Sequence, residues 1–349
     1  SRQPSSSSSA VNARSSSDVA GTEPSTTRTR HFLQVPWPPQ VESIAIPFQE
    51  AASNSVTPGP GFNPVANLSA FLSETRTAFD TGRQEEEIAE SRDELRSRYG
   101  LGPRLRAELG ERPASVEPWE VMAAWAYELD WSPAPVFQNY SAYTSELDQL
   151  NAGVISSDSG PERILRHFGR NPDYPERGID QRLLAWDPPA QAVATFCHFR
   201  PVATSLEWQV LARTGNRCGP MVPAGSVDSS FGQSVTVPPP GPGEVVLVRI
   251  HGAGVHGLER LRSLVFRPKE RRVQAGRGSY RLVPGTAGDG LMLRAGPGVP
   301  DASGRFSQVP RIRRLELTGT SGDLSFDFFR MKVRPWRSAP RAAVRLPTQ

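Results

Sequence analysis

Residues 197–219, CHFRPVATSLEWQVLARTGNRCG, decide how the chain divides. HFRPVATSLEWQVLAR (198–213) reads as a β-hairpin, with Cys197 and Cys218 flanking its two arms. Just upstream, Asp187-Pro188 caps a predicted helix that runs through Phe196. This helix and hairpin complete a small α/β unit that ends near Gly219. Beyond Gly219 the pattern changes to short strands separated by Gly/Pro turns: SVTVPPP, EVVLVRI, RSLVFR, SYRLVPG, GLMLRAG, RIRRLELTG and LSFDFFRMKV. Alternation is clearest in RLEL and LSFDFF. The expected class is α+β: an α/β module at 110–219, then an antiparallel, jelly-roll-like β-sandwich at 220–336.

The α/β module has further signals upstream. RQEEEIAESRDELRSRY (83–99) predicts a largely solvated helix, with Ile88, Leu95 and Tyr99 on one face, a Glu94–Arg98 pair and Gly100 as C-cap. Pro113 to Glu117 is expected to be extended. Pro118 suits the first position of a helix reaching Asp130, in which Val121, Met122, Trp125 and Leu129 recur at helical spacing. APVFQ (134–138) reads as a second strand. Ser145 with Asp148 resembles a capping box for a helix carrying Leu147, Leu150 and Val154, closed by the turn SSDSGP.

The 349 residues, 37% hydrophobic, accommodate two domains plus tails. Residues 1–34 are expected to be disordered: the first thirty hold ten Ser and almost no large apolar side chain. Residues 35–109 read as an extended wrapping segment followed by the amphipathic helix, and 337–349 as a second disordered tail. Only Lys269 and Lys332 are Lys among forty basic residues, a bias expected of GC-rich bacterial coding. A net charge of +4, with Arg scattered among Asp and Glu, argues against a nucleic-acid groove. The first residue is Ser, and the sequence holds neither a cleavable signal pattern nor an apolar stretch of about 18 residues. These residues are therefore expected to be soluble, with whatever precedes Ser1 left open. Spacing alone leaves Cys197 and Cys218 either bridged or as two free thiols.

The densest chemical signal is WEVMAAWAYELDWSPAPVFQNYSAY (119–143), which holds three of seven Trp and three of six Tyr. Flat rings beside amide and carboxylate groups suit stacking on sugars, and the candidate ligand-binding set is Trp119, Gln138, Tyr140, Tyr143, Asp148 and Asn151. The bland alternative is a core of Trp125, Phe137 and Tyr143 with polar groups capping turns. Gly252-Ala253-Gly254-Val255-His256-Gly257 matches a dinucleotide fingerprint after a strand, but Glu270 lies in the charged run RPKERR and no second βαβ half follows. A bulge or wide turn is the simpler reading, as a solvated turn is for RPKERR itself. Asp130, Asp148 and Asp187 are carboxylates that can flank a cleft. No GxSxG elbow, CxxC or paired His at metal spacing is present, so no catalytic residue, metal or cofactor is assigned.

FQNYSAYTSELDQLNAG (137–153), ILRHFG (164–169), IDQRLLAWDPPAQAVATFCHFRPV (179–202), EWQVLART with NRCGP, and SYRLVPGTAGDGLML (279–293) resemble the extracytoplasmic C-terminal region of actinobacterial multi-spanning membrane proteins. Their layout is similar to that of membrane glycosyltransferases that use polyprenyl-linked sugars. The resemblance covers roughly residues 84–330. It implies the outer face of a bacterial plasma membrane and favours a Cys197–Cys218 bridge. It supplies no catalytic residue, since in that layout the catalytic acid sits in the membrane half. The leading expectation is a non-catalytic region that binds envelope glycan or supports its own or a partner transmembrane half. A purely structural assembly module and, less favoured, a nucleotide-dependent enzyme using the 252–257 loop are the alternatives. Oligomeric state is not legible.

Overall fold

A computed structural model describes residues 80–168, 177–255, 269–276, 278–300 and 309–336, all within one compact unit, Leu72–Gln349. Both tails, the whole of the 35–79 segment, the RSLVFR strand and the last two residues of the glycine loop, His256 and Gly257, lie outside the described residues.

Helix α1 (Thr81–Tyr99) starts at Asp80, whose side chain accepts from the Arg83 amide, and stops at Gly100, which adopts the left-handed conformation that favours glycine. Only Tyr99 is buried along it. The expected Glu94–Arg98 pair is replaced by Arg92 and Arg96 reaching Glu128 at 2.8 and 3.0 Å. α2 (Pro103–Leu109) buries Leu105 and Leu109. β1 (Ala114–Glu117) follows, but the predicted helix to Asp130 shrinks to α3 (Met122–Ala126), which buries three alanines. APVFQ forms no strand. The next strand is β2 (Arg163–His167), reached through α4 (Ser145–Ser156) and paired with β1. α5 (Pro189–His198) leads into the predicted hairpin, β3 (Phe199–Thr204) and β4 (Trp208–Arg213).

These strands form a sheet in the order β1-β2-β4-β3, parallel between β1 and β2 and antiparallel elsewhere. Alternation along the strands gives it two apolar faces. Val116, Leu165 and Val210 pack with Leu101, Leu105 and Leu109 on the α1–α2 side. Ile164 and Leu211 pack with Ile155, Ala190 and Ala194 on the α4–α5 side. Trp208 locks the first layer, its indole N–H donating to the Tyr99 carbonyl at 2.8 Å.

The second half contains β5 (Cys218–Ser230), β6 (Ser234–Thr236), β7 (Glu244–His251), β8 (Arg271–Ala275), β9 (Gly278–Leu282), β10 (Leu291–Ala295), β11 (Arg314–Thr318) and β12 (Asp323–Val333). They make two antiparallel sheets, β10-β7-β12-β5 and β6-β11-β8-β9. Numbered from β5, that is the connectivity of a jelly roll. Val246, Val248, Ile250 and Phe326 of one sheet meet Val273, Leu315 and Leu317 of the other. Besides β2, two strands of this half escaped the sequence reading. β5 carries Pro220 and Pro223, tolerated because β5 is an edge strand, paired among the described residues with β12 alone. RPKERR is no solvated turn at its end: Arg271 opens β8 and is buried, donating to the carbonyls of Ala253 and Gly254.

α5 joins the two halves. Its Ala190 and Ala194 face the mixed sheet, while Phe196 and Cys197 pack on Val245, Leu247, Met292 and Met331 of the outer sandwich sheet. Trp186, just before it, enters the sandwich core and donates to the Met292 carbonyl at 2.7 Å. Cys197 at its end is bridged to Cys218, with Cα atoms 5.3 Å apart. No helix among the described residues is long and apolar enough to cross a membrane.

Closing a loop across a sequence separation of 21 restrains the unfolded chain by about 3 kcal/mol in the chain-entropy account. Replacing both cysteines by Ala is expected to lower Tm by roughly 5–10 °C. Scanning calorimetry checks this, and an unchanged Tm would show that the bridge restrains nothing.

Candidate functional site

β1 and β2 run parallel, so their carboxyl ends, Glu117 and His167, open at the same edge of the sheet, where α/β proteins place ligands. A cavity of about 20 Å³ lies there, room for one small atom with its hydrogens. Its polar wall consists of Glu117, Asn139, Arg166, Asp187, Gln191 and Thr195. Asp187 precedes α5, and Gln191 and Thr195 follow it at helical four-residue spacing, so one face of the chain supplies half the wall.

The wall is tied together by charge-assisted hydrogen bonds. Arg166 donates twice to Glu117 Oε2, at 3.0 and 3.3 Å, and Gln191 Nε2 donates to Glu117 Oε1 at 2.6 Å. Arg182, itself buried, donates to Asp187 Oδ1 at 2.9 Å and to the Tyr140 carbonyl at 2.6 Å. Its other terminal nitrogen donates to the Tyr143 hydroxyl at 2.8 Å, with the guanidinium 4.8 Å from that ring's centre. Three buried oxygens of the wall remain without a hydrogen-bond partner: Asn139 Oδ1, Asp187 Oδ2 and Thr195 Oγ1.

Two buried carboxyls support the site and are shifted upward. Asp148 accepts from the backbone amides of Ala190 and Gln191 at 2.8 and 2.9 Å, capping α5 from a different helix. Burial pushes Asp148 up to about 7, against the pull of those two amides and with a further push from Asp289. Burial also pushes Asp187 up to about 6, opposed by Arg182. Arg182 is raised in turn: burial disfavours its charge, but Asp187 and the Tyr143 hydroxyl together more than offset that.

The six residues singled out in the sequence gather around this cavity without forming its wall. Asp148 and Asn151 are fully buried. The Asn151 side chain accepts from the Val136 amide at 2.8 Å and donates to the Val136 carbonyl at 3.1 Å, clamping the aromatic loop to α4. It also donates to Gln191 Oε1 at 2.8 Å. Trp119 and Gln138 adjoin the wall residues Pro118 and Asn139, and Trp119 meets His167 edge-on at 5.9 Å. Gln138 accepts from the Tyr140 hydroxyl at 3.2 Å. Tyr143 is 45% exposed beneath Arg182. The predicted capping box is shifted by one position: Thr144 caps α4, while Ser145 donates to Asp289. α4 is also turned over, with Asp148 and Asn151 inward and Leu147 and Leu150 exposed.

Sequence reasoning missed Glu117, Arg166, Gln191 and Thr195, because no local motif joins them; it had Asn139 only within the run 119–143 and Asp187 only as one of three scattered acids. Of the other two, Asp130 is exposed and offers only its carbonyl, to the Ala114 amide. Trp131, bridged to Ala114 at the amino end of β1, forms an edge-to-face pair with Phe137, centroids 6.0 Å apart, the two being 38% and 45% exposed. The sandwich has an open polar groove of about 630 Å³ flanked by Asp228, His251, Asp323 and Ser325. Nearby, Ser226 donates to Asp327 at 2.6 Å and His251 meets the same carboxylate at 3.1 Å. The serine thus contacts the acid and not the imidazole, which is not the order of a nucleophilic triad. The strand before the glycine loop, β7, lies between antiparallel β10 and β12, not in the parallel βαβ unit that a dinucleotide fingerprint needs. Among the described residues no three His, Cys, Asp or Glu side chains are grouped to hold a metal.

Comparison with protein-family models, curated proteins and solved structures gave no match to this chain.

Asp148 and Asp187 bind protons more tightly folded than unfolded, where an ordinary value of 3.8 applies. Each therefore adds stability that is full below about pH 4 and lost as the pH rises toward 6 to 7. Asp148→Asn has one acceptor where α5 needs two, and is expected to cost about 1–2 kcal/mol at pH 5. The deficit is expected to shrink at pH 8, where wild type carries the buried charge. Urea unfolding of both proteins at pH 5 and pH 8 tests this, and an equal difference at the two values would count against it.

Proposed function

We propose that this chain is a non-catalytic, extracytoplasmic region of a bacterial membrane protein that binds envelope glycan on the surface carrying Trp131 and Phe137. The observation behind the reading is that exposed edge-to-face pair, held by the Asn151 clamp one residue from Phe137 and two residues before Asn139 of the polar cavity. Flat apolar rings next to amide and carboxylate groups match the two-sided chemistry of a sugar, apolar on its C–H faces and polar at its edge. The Cys197–Cys218 bridge is consistent with an oxidising compartment. The resemblance of 137–153 and 179–202 to extracytoplasmic regions supports the location.

A structural or assembly role is the second reading, favoured by Leu147 and Leu150, which turn outward while the polar side of α4 is buried.

Tryptophan fluorescence titrated with arabinan, mannan and galactan fragments is expected to respond saturably to at least one. The double variant Trp131→Ala, Phe137→Ala is expected to weaken that binding at least tenfold with the fold intact by circular dichroism. No response to any fragment at millimolar concentration would overturn the glycan reading in favour of the assembly one.

A further inference from the structure

Among the described residues four carboxyl side chains are buried, and they fall into two kinds. Glu117 is paired with Arg166, and Asp187 with Arg182. Asp148 and Asp289 are buried too, yet among the described residues neither has an ion pair.

These two acids meet where the halves of the molecule join. Ser145, Asp148 and Gln149 share one face of α4, at spacings of three and four. Ser145 and Gln149 both donate to Asp289 Oδ1, the latter at 3.3 Å, which sets the Asp289 carboxyl against the same helical turn as Asp148. The two carboxyls are hydrogen-bonded to one another. The loop that carries Asp289 begins with the turn Pro284–Thr286, and it packs so closely here that a Cβ on Gly285 would collide with the Tyr143 carbonyl.

Two carboxyls cannot bond without a proton, since an ionised carboxylate only accepts. Both Asp148 oxygens already accept amides of α5, and Asp289 Oδ1 accepts twice from α4, so the buried Asp289 Oδ2 is the oxygen left without a donor. A proton between Oδ2 and an Asp148 oxygen, which keeps a second lone pair, meets that need. Its loss leaves two buried like charges side by side. The neighbouring charges cancel in pairs: Glu117 of β1 is engaged by Arg166, and Asp187, before α5, by Arg182. Glu146, on α4 itself, is exposed two positions away, on another side of the helix.

We propose that Asp148 and Asp289 hold one proton between them, and that this proton latches α4 to the jelly-roll loop 284–290, closed in acid and loosened once both acids ionise. Burial and then Asp289 push Asp148 up to about 7, which puts the opening near neutral pH. The unfolded value is 3.8, so the folded chain keeps a proton that the unfolded chain has lost. The stabilisation is therefore full below about pH 4 and is lost as the pH rises through about 7. This goes beyond the glycan reading and does not depend on it, since it rests on the junction and not on the exposed rings.

Carbon-13 shifts of the aspartate carboxyls in the labelled full chain, followed from pH 4 to pH 9, read the pair directly. Asp148 and Asp289 are expected to respond together to the proton lost near pH 7. Asp289→Asn keeps the shape and the bond from Ser145, and gives ionised Asp148 an N–H donor. Its Asp148 midpoint is expected to fall by about one pH unit or more, a roughly tenfold stronger acid. The latch is read by hydrogen exchange at Ile250, whose amide donates to the Ala287 carbonyl of the loop at 2.9 Å. After correction for the intrinsic rate, its protection is expected to fall roughly threefold or more between pH 6 and pH 8 in the wild type and to stay level in Asp289→Asn. An Asp148 midpoint unmoved by Asp289→Asn would overturn the shared proton, and level Ile250 protection in the wild type would overturn the latch. If Asp289→Asn does not fold, the wild-type titration decides: an Asp289 carbon that is still near pH 7 overturns the proposal, and one that moves with Asp148 supports it.

Discussion

Everything in this fold depends on how α5 is held. A ten-residue helix has unpaired amides at its start, and here Asp148 of α4 accepts two of them from across the chain. Its far end is covalently fixed by Cys197 to the first residue of β5. Between these anchors α5 buries one side against the mixed sheet and another against the jelly roll, so the two halves share one helix as common core. The cost is a buried carboxylate whose proton affinity rises by about three orders of magnitude, offset by two charge-assisted bonds to the helix it caps.

The same demand shapes α4. A surface helix ordinarily hides its leucines, but α4 hides Asp148 and Asn151 and leaves Leu147 and Leu150 in solvent. Asp148 is needed at the α5 amides, and Asn151 has to reach both polar groups of Val136 as well as Gln191. Turning the helix to satisfy those partners dictates which face is outside. One polar network therefore sets the position of the aromatic loop, the orientation of α4 and the wall of the cavity. The exposed rings and the cavity are two consequences of a single arrangement.

Much of the architecture was legible. LSFDFFRMKV shows the period of two that a half-buried strand needs, EVVLVRI and GLMLRAG are the continuous apolar runs of strands buried on both faces, and all three lie where expected. The helix ending at Gly100 and the hairpin 198–213 were equally plain. β5 was hidden because its prolines and glycines spell turns. Only its edge position, with β12 supplying the ladder, makes it a strand. APVFQ looked like a strand from its composition, yet among the described residues no neighbour offers it a ladder, and the Asn151 clamp holds its valine instead. Helix 118–130 carried apolar residues at helical spacing but formed little more than one turn, since Arg96 and Tyr127 fasten the end of that segment to α1.

By itself the sequence determined the periodicities, hence the α+β class and the sandwich, and it pointed to the neighbourhood of 119–151, because these are local properties of composition and spacing. Only the tertiary structure decided which residues make the site. Glu117, Asn139, Arg166, Asp187, Gln191 and Thr195 come from two strands, two connecting segments and a helix. They converge because parallel strands share an open edge and because Asp148 fixes α5 against it. It also decided that Asp148 and Asn151 serve the protein's own backbone, since whether a polar side chain faces a ligand or a helix end depends on what the fold brings within 3 Å of it.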